Sequence, residues 1–140
     1  MTTHTPSEQL SSDLPTATRR PPATVIIAAV LTILVASVGT YGAVYFSGLD
    51  GYDDVDAPFI SMYGYLSLIG IVSVIAQLRG SAIGQAGTIA WGIYGVLFTL
   101  VKLITIQEAE AIGFGVIALI VVALSLAGPT RRFIRSRKSA

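Results

Sequence analysis

The sequence predicts an all-α fold, an integral membrane four-helix bundle running up-down-up-down, and three observations predict it. Apolar residue types make up 53% of the 140 positions and charged residues only 12%, whereas a soluble domain carries about 25% charge. Four apolar stretches recur along the chain, each close to the roughly 20 residues that a helix needs to cross a bilayer. The charges sort between them. Arg19, Arg20, Arg79, Arg131, Arg132, Arg135, Arg137 and Lys138 fall before the first stretch, between the second and third, and after the fourth. Asp50, Asp53, Asp54, Asp56, Glu108 and Glu110 occupy the other two connections. Cytoplasmic connections retain Lys and Arg, so this alternation predicts a multi-pass protein of the cytoplasmic (cell) membrane with both termini cytoplasmic.

Residues 1–22 are rich in Ser, Thr and Pro and bury too little apolar surface to offset their ordering entropy, so a disordered cytoplasmic tail is expected there. The first span is expected over 23–46. Its apolar run exceeds the 7–15 residues of a signal-peptide core, and no small-residue cleavage site follows, so the helix is expected to stay uncleaved. Pro21 and Pro22 suit its first turn, where a missing N–H costs nothing. The second span is expected over 58–78, followed by the tight turn Arg79-Gly80-Ser81. The third follows over 82–106. The fourth runs over 109–127, with Glu108 and Glu110 facing the positive end of its dipole and Gly128-Pro129 as its stop signal. Together the spans form one membrane domain, 23–128. Residues 129–140 are expected to be a basic cytoplasmic tail. Short connections make successive helices antiparallel neighbours.

Apart from Glu110 at the very start of the fourth, Lys102 is the single charged residue inside an expected span. It lies about four residues from the outer end of the third helix, roughly 6 Å below that interface. One reading lets its ammonium snorkel to the outer headgroups. Side chains tilt toward a helix's N-terminus, however, which here is the cytoplasmic end, so its Cβ points away from the nearer surface. Pairing with Glu108, Glu110 or an acid of the first loop is the alternative, and a place on a solute path is a third. Tyr63, Tyr65, Trp91 and Tyr94 lie toward mid-span, each with a polar atom that needs a partner in lipid. They are expected to face the bundle interior with Ser67, Ser73 and Gln77, either as core packing or as the lining of a ligand pocket.

Small residues recur at packing intervals, Ala36 with Thr40, Gly39 with Ala43, Gly84 with Thr88 and Gly95 with Thr99. Such spacing lets helices approach closely within the bundle or against another chain. The four carboxylates of the Asp50–Asp56 loop enforce orientation or, as the alternative, offer oxygens to a hard cation; their spacing does not match an EF-hand. Arg131, Arg132, Arg135, Arg137 and Lys138 directly follow the fourth span and are expected to contact anionic lipid headgroups, at about 1 kcal/mol each.

Cysteine is absent, which excludes disulfides, a thiolate nucleophile and thiolate metal sites. The sole histidine, His4, lies in the tail, so no paired histidines hold haem or a transition metal between the spans. Apart from Glu110 at the very start of the fourth, no Asp or Glu lies inside a span, whereas proton-coupled transporters rely on such acids. The small multidrug transporters share the size, but their first-helix glutamate has no counterpart here. In layout the chain resembles small four-helix membrane proteins common in actinobacteria. The resemblance rests on the polar N-terminal tail, the Arg79 turn and the closing run Ala127-Gly128-Pro129-Thr130-Arg131-Arg132-Phe133. It implies a membrane domain and no activity. The expectation is therefore a non-enzymatic accessory or interaction subunit of a membrane assembly, with the bilayer, a second copy or another membrane protein as partner, no cofactor and no nucleic acid. The alternative is a small oligomeric transporter or channel.

Overall fold

The computed structural model describes residues 20–49, 57–105, 107 and 109–138, and among them every regular element is a helix. These are α1 (Ala23–Leu49), α2 (Ala57–Leu78), α3 (Ala82–Thr105), α4 (Ala111–Leu126) and α5 (Gly128–Lys138). The first three are each long and apolar enough to cross a membrane. At 16 residues α4 is too short alone, and it qualifies only together with α5, from which it is bent by 51°. Three helices, or four counting the bent pair, are compatible with a multi-pass membrane protein. The tail over 1–19, the Asp50–Asp56 loop and Glu108 lie outside the described residues.

The outer surface is far more apolar than that of a water-soluble helical protein, and several polar side chains lie within the apolar core. Large apolar side chains such as Ile26, Val30, Leu68, Leu97 and Leu119 face outward, while Thr32, Ser67, Gln77, Thr88, Thr99, Ser125 and Thr130 are buried. In lipid no hydrophobic drive holds helices together, so small residues and interhelical hydrogen bonds must do so. The contacts follow that rule. Gly84 of α3 lies directly against the α2 backbone at Ala76 and Gln77, leaving no space for a Cβ. A Cβ on Gly95 would meet Ala118 of α4 at 3.1 Å. Gly39 of α1 faces Ser67 of α2. The small-residue pairs at Gly39, Gly84 and Gly95 are therefore used within the chain.

Successive helices pack on one another, and α4 returns to α1. The partners step in opposite senses: Gly84, Gly87 and Trp91 of α3 meet Gln77, Ser73 and Gly70 of α2, while Gly92, Gly95 and Thr99 meet Val122, Ala118 and Gly115 of α4. A first core cluster joins Ala28, Val35, Trp91 and Val121. A second, at one end, joins Val25 of α1 with Phe133 and Ile134 of α5, with Leu78 packed against them.

The start of α1 at Ala23 and the bounds of α2 and α3 fall within one residue of the sequence expectation, whereas α1 runs three residues past it to Leu49, and other details differ. Pro21 and Pro22 precede α1 instead of opening it, and the Pro22 carbonyl accepts from the Val25 and Ile26 amides at 3.0 and 3.2 Å. At the start of α4, Glu110 is the cap residue without a capping side-chain bond, so the helix opens two residues later than expected; Gln107, at φ 53°, reverses the chain before it. The largest difference is at Gly128-Pro129. The helix α4 ends at Leu126, as the stop signal predicts, but after Ala127, extended at ψ 148°, a further helix α5 opens at Gly128 and runs to Lys138. The expected basic tail is thus a docked helix. Thr130, Phe133 and Ile134 are buried at spacings of three and four residues, which put them on one helix face.

The break is satisfied from elsewhere. Pro129 has no N–H for the Ser125 carbonyl, and Gln85 Nε2 of α3 donates to that carbonyl at 2.6 Å. The Leu124 carbonyl accepts from the Ala127 amide at 3.3 Å and from Thr130 Oγ1 at 2.8 Å. Having spent its hydrogen there, Thr130 Oγ1 accepts from Thr24 Oγ1 of α1 at 2.8 Å.

Candidate functional site

At the end opposite α5, helices α1 to α4 spread around a cavity of about 300 Å³. Gly39 and Gly42 of α1 leave the room, and Tyr63, Lys102, Glu110 and Phe114 are among the side chains that line it. Lys102 sits one turn beyond Phe98 on α3, and its side chain folds back toward the helix N-terminus, as the Cβ direction predicts. Its Nζ lies 5.7 Å from the ring centroids of both Phe98 and Tyr63. Those two rings meet edge to face at 5.6 Å and 85°. Two aromatic faces thus receive a cation that the surrounding apolar residues would otherwise disfavour. Glu110, one of the expected partners, lines the same cavity.

The cavity does not continue into the chain. Below it Val35, Leu66, Trp91 and Phe114 close to a gap of about 10 Å³, at most the room that one water requires. What the cavity can do chemically is hold a small polar or anionic group beside an ammonium, a carboxylate and a phenol. Among the described residues no cluster of three His, Cys, Asp or Glu side chains could hold a metal ion.

The four mid-span aromatics do not form one group. Tyr63 reaches the cavity, and Trp91 is 2% exposed in the core. Tyr65 and Tyr94, at 68% and 40%, face outward, which corrects the expectation that they share the interior. Ser67 and Gln77 are buried and Ser73 half-buried. Helix geometry accounts for the split of Tyr63 from Tyr65, because residues two apart point to different faces. Trp91 Nε1 donates to the Leu66 carbonyl at 3.0 Å. It reaches that carbonyl because position 70 has no side chain: a Cβ on Gly70 would stand 2.7 Å from Nε1.

Tyr65 and Tyr94 instead flank an apolar groove of about 410 Å³ on the outer surface between α2 and α3, with Met62 and Ile69 beside them and one edge of Trp91 at its base. Among the described residues neither hydroxyl meets a hydrogen-bond partner. Tyr94 stands about 17 Å along α3 from either end, by the helix rise of about 1.5 Å per residue.

The five cations after α4 also divide. Arg137 lies on the docked side of α5, its guanidinium 5.7 Å from the Phe133 ring and its stem against Gly80 at φ +84°. Arg131, Arg135 and Lys138 border a groove of about 440 Å³ between α5 and the start of α3. Arg132 is exposed and borders neither. Sequence reasoning passed over Phe98, Gly70 and Gln85. Phe98 was signalled by its position four residues before Lys102, and Gln85 by the carbonyl that Pro129 strands; nothing in the sequence singled out Gly70.

No family model, no curated protein and no solved structure matches this chain.

Proposed function

We propose that this chain is a non-enzymatic, multi-pass protein of the cell membrane that serves as an accessory or interaction subunit of a membrane assembly. In this reading four spans run up-down-up-down, the α4–α5 pair supplying the fourth, with both termini cytoplasmic. The sorted charges support the orientation. One observation carries the accessory role: the groove flanked by Tyr65 and Tyr94. Tyr94 lies too deep for its hydroxyl to reach either interface, about 17 Å along α3 from each end, and an unpaired hydroxyl in hydrocarbon is costly. A helix of another membrane protein laid in the groove would cover the aromatic surface and supply the missing acceptors. The test is purification of the chain in native nanodiscs. A stoichiometric second membrane protein is expected, lost from the Tyr65→Ala, Tyr94→Ala pair and retained in Tyr41→Ala, whose side chain is 70% exposed on α1. Recovery of the chain alone, or retention of the partner by the double variant, rejects the accessory reading.

The Lys102 cavity favours a second reading, a small oligomeric transporter or channel. Lys102 and Glu110 offer a solute a polar seat at one end, and a path past the closed floor would have to form between copies. A homo-oligomer that conducts solute in proteoliposomes, and that loses flux in Lys102→Met but not in Arg79→Gln, establishes this reading in place of the first.

A further inference from the structure

We propose that the groove between α5 and the start of α3 is a site for one anionic phospholipid, its phosphate held by Arg131, Arg135 and Lys138 and an acyl chain laid along Ala86, Ile89 and Leu126. The proposal rests on the membrane reading above and is independent of the accessory role.

The geometry of α5 selects these three cations. Positions 131, 135 and 138 follow the i, i+4, i+7 spacing of one helix face, spanning about 10 Å of axis. That face lies roughly 100° around the helix from the docked one, at 3.6 residues per turn. All three border the groove of about 440 Å³, whereas Arg132 and Arg137 do not. Among the described residues no carboxylate lines it. A flexible tail would have offered five interchangeable charges; the docked helix presents three at one place and uses Arg137 elsewhere.

The rest of the lining selects a lipid over a free anion. Below the cationic rim the wall is mostly apolar, from Ala86 and Ile89 on α3 and Leu126 at the end of α4, with Gln85 beside them committed to the Ser125 carbonyl. A soluble phosphate would use only the rim; a phospholipid uses both parts. The 51° bend between α4 and α5 creates this arrangement. It lays the cationic face beside the start of α3, at the end of the apolar helices where headgroups would lie. Basic clusters at that depth attract anionic headgroups.

The experiment uses the full chain reconstituted in mixed phosphatidylcholine and phosphatidylglycerol vesicles, then extracted into mild detergent. Native mass spectrometry reads the lipid retained per chain, and carbonate extraction of the vesicles reads integration separately. The expected result is one retained phosphatidylglycerol per chain. The Arg131→Gln, Arg135→Gln, Lys138→Gln variant should lower that occupancy by about tenfold or more, while Arg132→Gln changes it by less than about twofold. Ala86→Trp, which fills the apolar wall and leaves every charge in place, should also expel the lipid. Equal losses in Arg132→Gln and the triple variant would mean diffuse charge attraction and overturn the site. Displacement of the lipid by millimolar inorganic phosphate, with Ala86→Trp silent, would overturn it in favour of a phosphate site. Carbonate-extractable wild-type protein would sink the membrane reading and this proposal together; integration with no retained lipid would sink this proposal alone.

Discussion

Two glutamines on facing helices, Gln77 buried and Gln85 half-buried, show how differently the same residue type can act at the scale of a single side chain. Gln85 donates at 2.6 Å to a carbonyl that no backbone amide can reach. Gln77 is fully buried, yet its one bond, to Ser125 Oγ, is 3.4 Å long and its Oε1 has no partner among the described residues. Removing a donor from a buried acceptor costs about 1–3 kcal/mol, whereas removing a poorly satisfied pair is close to neutral. Gln85→Met is therefore expected to lower unfolding stability in detergent by that amount, and Gln77→Met by less than about 1 kcal/mol or not at all. A larger loss from Gln77→Met would show that its side chain is better satisfied than these contacts imply. Trp91 and Gly70 make a second test. Gly70→Ala should cost about 1–3 kcal/mol by displacing the indole, and Trp91→Phe about 1 kcal/mol for the lost hydrogen bond. The double variant should cost clearly less than the sum, because both changes remove the same contact. Strict additivity in a double-mutant cycle would mean that the close approach of Gly70 and Trp91 carries no energy.

At the scale of the element, the connection from α4 to α5 shows a helix break turned to use. Pro129 removes the amide that would continue α4, Gln85 and Thr130 satisfy the stranded carbonyls, and the redirected helix brings Phe133 and Ile134 onto Val25. Phe133→Ala is expected to weaken that docking by about 2–4 kcal/mol. Hydrogen exchange should then quicken over 128–138 and leave α1 to α3 unchanged; uniform quickening would mean that α5 supports the whole bundle. The spacing of Thr130, Phe133, Ile134 and Arg137 was legible in the sequence as one helical face. It went unread because Gly128-Pro129 has the chemistry of a terminator, and whether a helix resumes past a proline depends on something for it to pack against.

On the scale of the whole molecule, much apolar surface faces outward and some Thr, Ser and Gln side chains lie within, an arrangement compatible with a multi-pass membrane protein. The absence of cysteine makes the topology directly measurable. Single cysteines at Ser136 and Thr105 lie on α5 and at the far end of α3. In sealed, right-side-out vesicles a membrane-impermeant maleimide is expected to label Thr105→Cys at once and Ser136→Cys only after permeabilisation. Labelling of both from the same side would overturn the proposed four-span topology.

Composition over windows of about 20 residues was enough to place the long helices, because the cost of putting a segment in lipid depends on what it contains and hardly on its order. The sorting of Arg and Lys away from Asp and Glu was equally explicit. Which face of each helix turns inward was not, and the reason is physical. In lipid the outward positions are as apolar as the inward ones, so α1, α2 and α4 carry little periodic contrast to read. The tertiary structure decided that Tyr65 turns out while Tyr63 turns in, that Lys102 lies beside a pair of aromatic rings, and that Gln85 meets Ser125. Each of these depends on close approach between segments distant in sequence, and close approach is set by which small residues happen to face each other once the helices pack.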